Sequence, residues 1–536
     1  MSPAPRSGCT PEAARAIYAI GAGTVLDGAA TPDVLGFKAY NLARMAAIGL
    51  NVPPAFVIGT GFCARPEQVG PAIWNAALSG LERASGLRLC DPHRPLLLSV
   101  RSGAPVSMPG MMETLLNVGL TESTLPGLVR LTGHPRLAWD AYRRLIAGFG
   151  EVVAAIDAGH FAADLDAVRM GEDERTLDFA ALREVARRHL RTFAREAGRP
   201  FPQDAGEQLG QAIAAVFRSW SSGKAVAYRD LHDLRHDMGT AVTVQRMVFG
   251  NAGGLSGAGV GFTRDPLTGE PQPWVDFLFN AQGEDVVSGR RSARGHEELA
   301  AVVPALWDEL VQAARTLERH FGDMQDFEFT IEDGVLFLLQ TRDGKRSPRA
   351  AARIALDLLD EGLIDAAAAR RWTDGLDRRS LSLRKVVAAD GAPPSPIATA
   401  ASAATGVVSG AIAFDAAGLR RLKEAGGPVI LVRRDAETRD IAALDLADAL
   451  LTRHGARTSH AAVVARQLGK VCLVGCDAMD VDEAGRCLTI SGTPYPEGAV
   501  LTLDGNEGSI YAGAAAVADD IPEDLLARLA RLREEA

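Results

Sequence analysis

The sequence predicts a multidomain α/β protein, on three observations. At 536 residues it exceeds what one hydrophobic core organises. Helical and strand patterns interleave around Gly-rich turns as far as about Arg346. Beyond a stretch of small residues and prolines, a second block of β and α signals runs from Thr405 to about Ala512.

The first block opens with LGFKAYNLARMAAIGLNVPPAFVIGT from Leu35 to Thr60. Leu42, Met45, Ala46 and Gly49 recur at helical spacing, NVPP stops the helix, and AFVIGT reads as a strand. Leu96–Val100 is an apolar strand leading into the loop SGAPVSMPGMM. From about 120 to 225 the patterns are mostly helical, as in Leu137–Ile156. Strand signals return at Ala241–Gly250, Val260–Pro266 and Trp274–Ala281, then in DFEFTIE and VLFLLQTR, a hairpin turning near Asp333–Gly334. An Ala-rich amphipathic stretch runs from Arg346 to Trp372, and Ala388–Ala404 reads as a linker. The second block contains PVILVRR, SHAAVVARQLGK, VCLVGC and GAVLTLDGNEGSIYAG, and an amphipathic helix follows. The domains expected are 1–345 with a helical part at about 120–225, a helical and flexible connector at 346–404, a unit at 405–513, and a C-terminal helix at 514–536.

Lys and Arg number 57 against 67 Asp and Glu, a net charge of −10, which excludes a general nucleic-acid binder. No apolar run has the length of a membrane span, and the first residues lack the layout of a signal peptide. Six scattered cysteines do not make a disulfide framework, so a cytoplasmic location is expected.

The chemistry-bearing residues fall in four places. Asp326 and Glu328 are two apart, hence on one face of a strand, and Gln340 and Arg342 have the same relation on the return strand. Two carboxylates beside a guanidinium suit Mg²⁺ and phosphates; the alternative is a solvent-facing polar face opposite Phe327, Phe329 and Ile331. Arg101 ends a buried strand ahead of a loop able to approach an anion, and Lys38 is either a phosphate contact or a surface lysine. The loop Gly250–Phe262 carries six glycines, Gly257 and Gly259 among them, which free backbone N–H groups to approach phosphates. Thr458 and Ser459 are N-cap types, and Ala461, Val464, Ala465 and Leu468 form the apolar stripe of the helix that follows. His460 then lies in the first turn, where the helix dipole keeps imidazole neutral and favours a phosphate on its nitrogen. Cys472 and Cys476 read as core, and His232, His236 and His454 as surface or loop residues.

Taken together, GFKAYNLARMAAIGLNVPPAF, LLLSVRSGAPVSMPGMMETLLNVGL, SGAGVGFTRDPLTGE, MQDFEFTIEDGVLFLLQTRDGKR and RTSHAAVVARQLGKVCLVGC resemble the pyruvate phosphate dikinase family of phosphohistidine-swivelling enzymes. The resemblance implies an ATP-grasp nucleotide-binding domain followed by a swivelling β/α phosphohistidine domain. It implies that Lys38, Arg101, Asp326, Glu328, Gln340 and Arg342 hold ATP, with Gly257 and Gly259 in the phosphate loop and Asp326 and Glu328 binding Mg²⁺. The implied catalytic residues are His460, which accepts a phosphoryl group, with Thr458, Arg101 and Arg342. ATP would pass a pyrophosphoryl group to the histidine and inorganic phosphate would take its terminal phosphate, leaving phosphohistidine, AMP and pyrophosphate; in a synthase relative water replaces phosphate. The chain departs from the family at Phe37 and Ala39 beside Lys38, at Ala258 in place of threonine, and at Ala456 and Arg457 ahead of the Thr-Ser-His motif.

Family members end in a (β/α)₈ barrel of ~250 residues that binds phosphoenolpyruvate and pyruvate. Only 536 − 513 = 23 residues follow Gly513, so the expected acceptor lies on a separate barrel-type protein or is another small molecule. ATP, inorganic phosphate, that barrel protein and a second copy of the chain are the partners expected. The competing expectations are a non-catalytic nucleotide-sensing regulator and a direct small-molecule kinase of the antibiotic-phosphorylating type.

Overall fold

The computed structural model describes residues 17–534 except 22, 27, 107, 109–110, 172–173, 288–295, 389–394, 436–440, 456 and 458–459. Strands β1 (Ile17–Ile20), β2 (Ala55–Ile58), β3 (Leu98–Gly103), β4 (Thr114–Val118) and β5 (Ala241–Arg246) form an antiparallel sheet in the order β1-β2-β5-β3-β4. The sheet forms where β-branched and aliphatic residues cluster, and β2 is buried along its whole length. Phe56, Ile58, Leu98, Val100, Val242 and Val244 share one core with Leu145, Phe149, Phe193, Ile213 and Phe217, which come from helices spanning Pro135–Ala154, Phe179–Ala197 and Ala205–Ser219. Helices occupy most of Leu125–Leu231, with Asp178, Asp204 and Ser222 each accepting a backbone N–H at a helix start.

Strands β6 (Gly257–Phe262), β7 (Trp274–Phe279), β8 (Gln325–Glu332) and β9 (Val335–Asp343) form a second sheet, ordered β7-β6-β8-β9. The β8–β9 hairpin turns on Asp333 and Gly334, with φ of 49° and 77°, the left-handed pair that a two-residue hairpin turn requires. By contact the chain divides into two units, one of Met1–Ser256 with Ile331–Thr341, the other of Gly257–Thr330 with Arg342–Ala536.

In the second unit an eight-stranded sheet holds four strands, Val407–Ala413, Val429–Arg433, Ala449–Thr452 and Val471–Val474, side by side and parallel. Their near-continuous apolar runs are what burial on both faces demands. One face carries Ile430, Leu451, Leu473 and Leu503; the other carries Leu431, Leu450, Ala462, Ala465 and Cys472. Cys472 and Cys476 are core residues, as the sequence suggested, and burial pushes the Cys472 thiol up to about 12.

Two expectations are corrected. Ala388–Ala404 is not a free linker throughout: Ala398–Thr399 and Ala401–Ala404 are strands of the eight-stranded sheet, the latter antiparallel to Val471–Val474. Their small side chains, which read as linker composition, let Ala403 and Ala404 pack under the histidine-bearing helix. Nor is the C-terminal segment a helix alone. Val517–Asp520 pairs with Leu383–Val386, and the helix Glu523–Glu534 buries Leu525, Leu529 and Leu532 against Ala352, Leu356 and Leu381. Among the described residues no helix is long and apolar enough to cross a membrane.

A buried charge network staples β6 to the helices beyond it. Arg264, 2% exposed at its side chain, donates to Glu318 at 2.7 and 2.9 Å and to Glu361 at 2.8 Å, while the Thr263 hydroxyl donates to the other Glu318 oxygen. Arg264→Met would strand the Glu318 carboxylate, so a loss of about 3–5 kcal/mol is expected. Urea titration checks it: a midpoint within error of wild type would show that the network carries no net stability.

Candidate functional site

In the first unit, Lys38 stands on the first turn of the helix Phe37–Ala47, exposed. The Phe37 N–H donates to the Ala104 carbonyl at 2.9 Å, so this helix start abuts the end of β3, where Arg101 lies half-buried. Gly36 makes that approach possible: its φ is 74°, and a Cβ there would collide with the Gly103 carbonyl. Asn41 of the same helix donates to the Thr341 carbonyl at 2.9 Å, which ties it to β9 beside half-buried Gln340. Lys38, Arg101 and Gln340 thus stand on elements held together within one unit.

In the second unit, Asp326 and Glu328 are half-buried positions of β8, alternating with buried Gln325, Phe327 and Phe329. Arg342 Nε donates to Asp326 Oδ2 at 2.7 Å, so the acid and the arginine do meet. The Asp326 side chain is 16% exposed and that of Arg342 is 44% exposed. Burial holds the Asp326 carboxyl above the ordinary aspartate range, Arg342 opposes that shift, and Glu328 adds to it. Counting back from the two-residue turn would set Thr341 opposite Asp326. The observed partner is Arg342, and the Gly344 N–H bonds the Met324 carbonyl, one residue further along.

Among the described residues no group of three or more His, Cys, Asp or Glu is placed to hold a metal. Two carboxylates on one strand face still fit Mg²⁺, which takes one or two carboxylates and completes its shell with phosphate oxygens and water.

The Gly-rich segment differs from its reading as one loop. The loop ends at Ser256, and Gly257, Gly259 and Gly261 lie in β6, fully buried, paired residue for residue with β7. A Cβ at Gly257 would strike the Phe277 ring and one at Gly259 the Phe329 ring, so what these glycines supply is room for aromatic packing. Their backbone belongs to a strand that lies between β7 and β8, which leaves Asn251–Ser256 as the part of the segment outside the sheet. Ala258 is likewise a buried strand residue.

His460 is the first residue of the helix His460–Gln467, as its sequence position predicts. The N-cap assignments of Thr458 and Ser459 lie outside the described residues. Ala461 and Ala465 are buried and Val464 is half-buried, whereas Leu468, just past the end of the helix, is 41% exposed. His454 pairs with Asp435 at 3.1 Å, and exposed His236 with Asp230 at 2.9 Å.

Two further cations stand near the ends of the histidine helix: Arg466, which motif reading passed over, and Arg457, which the sequence marks only as a departure from the family. Arg466 donates to the Ala403 carbonyl at 2.8 Å and lies 5.7 Å from the Trp274 ring. Burial pulls its guanidinium below the ordinary arginine value, against the charges of Asp326 and Asp276. A signal was present: Arg466 follows the buried Ala462 by one helical turn, an unusual place for a cation. Arg457 donates to Asp276 of β7 at 2.9 Å, a contact that no local sequence spacing could announce.

A sheet-and-helix unit followed in the chain by a parallel-sheet unit with a histidine-headed helix makes a two-part α/β architecture. Comparison with known proteins agrees with that class. Residues 66–297 and 295–362 match the pyruvate phosphate dikinase AMP/ATP-binding domain, and 426–508 match the mobile domain of PEP-utilising enzymes. The chain belongs to the pyruvate phosphate dikinase family. It is 40% identical over 491 residues to pyruvate, phosphate dikinase 2 of Zea mays, covering 90% of this chain and 56% of the relative. It is 40% identical over 498 residues to pyruvate, phosphate dikinase of Clostridium symbiosum, again 90% and 56%. With the enzyme of Rhizobium meliloti (strain 1021) the identity is 39% over 530 residues, 93% and 58%. The chain therefore spans a little over half the length of these relatives.

Proposed function

We propose that this chain carries out the ATP half-reaction of a dikinase: ATP charges His460, and the phosphohistidine then serves an acceptor bound elsewhere. Residues 1–345 would be the nucleotide-binding domain, 405–513 together with the strands Ala398–Thr399 and Ala401–Ala404 the phosphohistidine domain, and 346–397 the connection between them. What carries this reading is one observation, the joint presence of the Asp326–Arg342 pair and a helix headed by His460 in a chain of this family.

Lys38, Arg101, Gln340 and Arg342 bind phosphate oxygens, with Arg342 oriented by its bond to Asp326. Mg²⁺, held by Asp326 and Glu328, would neutralise phosphate charge when bound. The imidazole of His460 attacks the β-phosphorus, the bond from that phosphorus to the α-bridging oxygen breaks, and AMP leaves. Inorganic phosphate then attacks the terminal phosphorus and departs as pyrophosphate, so the β-phosphoryl group stays on the histidine. Thr458, two residues ahead, supports the histidine, and the helix start favours the anion so formed. The acceptor is proposed to be a barrel-type protein or region outside these 536 residues.

ATP labelled with ³²P at either the β or the γ position tests this. With phosphate added, acid-labile label from the β position should stay on the protein while γ label leaves as pyrophosphate. Release of γ label as phosphate without any added phosphate would assign water as the second acceptor. No acid-labile label from either nucleotide would overturn the proposal.

A further inference from the structure

Arg457 stands three residues ahead of His460, and its guanidinium engages β7. Its Nε donates to Asp276 Oδ1 at 2.9 Å and its Nη2 to the Val275 carbonyl at 3.1 Å, and the guanidinium lies 4.0 Å from the centre of the Trp274 ring. Three consecutive residues of one strand thus engage one side chain through charge, a neutral hydrogen bond and a π face. The Asp276 side chain is 1% exposed and that of Arg457 is 18% exposed, so the pair is desolvated rather than a surface contact.

Arg466, from the far end of the histidine-headed helix, returns to the same place. Its Nη2 donates to the Arg457 carbonyl at 3.2 Å, its Nε to the Ala403 carbonyl at 2.8 Å, and its guanidinium lies 5.8 Å from the Phe262 ring. Arg457 therefore joins the entry of the histidine helix to β7, and Arg466 joins that same backbone to the strand Ala401–Ala404. Phosphoryl transfer depends on holding the nucleophile in line, and a misplacement of an ångström is costly.

We propose that Arg457 is a positioning residue, a docking pin that seats the entry of the His460 helix on the Trp274–Asp276 segment of β7 for the step in which ATP charges the histidine. The proposal rests on the phosphohistidine reading, and its test separates the two. Arg457→Met keeps length and an apolar stem against Trp274 but cannot answer Asp276. At saturating ATP the labelling rate should fall about 10²-fold, the loss that a small misplacement of reacting groups brings. The KM for ATP should stay within about twofold of wild type, since no proposed phosphate ligand is touched. Arg457→Lys should recover part of the rate. Asp276→Asn should match Arg457→Met, and the double variant should be no slower than either, because both remove one interaction.

Hydrogen exchange without ATP supplies the second readout: amides of β7 and of His460–Gln467 should exchange faster in Arg457→Met, while amides of β1 to β5 keep their wild-type exchange. Wild-type labelling and wild-type exchange in that variant would overturn the pin. Faster exchange in the variant of a protein that takes no label from ATP would uphold the pin and reject the phosphohistidine reading.

Discussion

His460→Ala is expected to reduce acid-labile phosphorylation to background while leaving the fold intact. Alanine is the strongest helix former, so the helix His460–Gln467 keeps its propensity, and Ala461, Ala462 and Ala465 keep its buried contacts. Three of the other nine histidines are poorly suited to take over. Both ring nitrogens of His189 lie against backbone carbonyls, Arg143 at 3.2 Å and Phe161 at 3.1 Å, and burial lowers its pKa. His236 and His454 each face a carboxylate, which repels an incoming phosphate. Helix content by circular dichroism should match wild type while acid-labile ³²P from β-labelled ATP disappears. Label persisting at the wild-type level would move the phosphorylated residue elsewhere and remove the central element of the proposed mechanism.

The sequence carried the parts of the site that depend on local chemistry. Alternation of period two placed Asp326 and Glu328 on one strand face, and Asp333–Gly334 announced the turn. The apolar periodicity after His460 placed it in the first turn of its helix, where it stands. Composition misled where one property serves two ends. Small residues make linkers flexible, and they also fill tight space beneath a helix, which is their use at Ala401–Ala404. Glycines open loops to ligands, and they also make room for rings, which is what Gly257 and Gly259 do beneath Phe277 and Phe329. The contacts of Arg457 with Asp276, 181 residues away, and of the C-terminal helix with Leu356 and Leu381 come from tertiary packing, to which no window on the sequence has access. The histidine motif was therefore legible from the chain, and the surface that receives it was not.

Asp326→Asn should separate function from stability, lowering the rate of His460 labelling by about 10²–10³-fold, the usual cost of removing one preorganised electrostatic group. Asparagine still accepts a hydrogen bond from Arg342, so the hairpin geometry survives, but one of the two anionic oxygen ligands for Mg²⁺ is gone. Stability should move the other way. Burial raises the Asp326 pKa above its ordinary 3.8, against the pull of Arg342, so the native state holds this proton more tightly than the unfolded chain does. Below that ordinary value both states are protonated and the carboxylate carries no penalty. As pH rises through the window between 3.8 and the raised native value, the unfolded chain ionises first, and wild type loses stability relative to Asp326→Asn. Above that window the deficit is constant. Urea midpoints for both proteins from about pH 3.5 to about pH 7 should converge at the acid end and diverge toward neutrality, with the variant the more stable. A variant that is less stable at neutral pH would mean that the ion pair with Arg342 outweighs the desolvation of Asp326. The acid would then be a structural anchor of the hairpin, whereas the expected result marks a carboxylate kept buried at a cost in stability because phosphate chemistry needs it there.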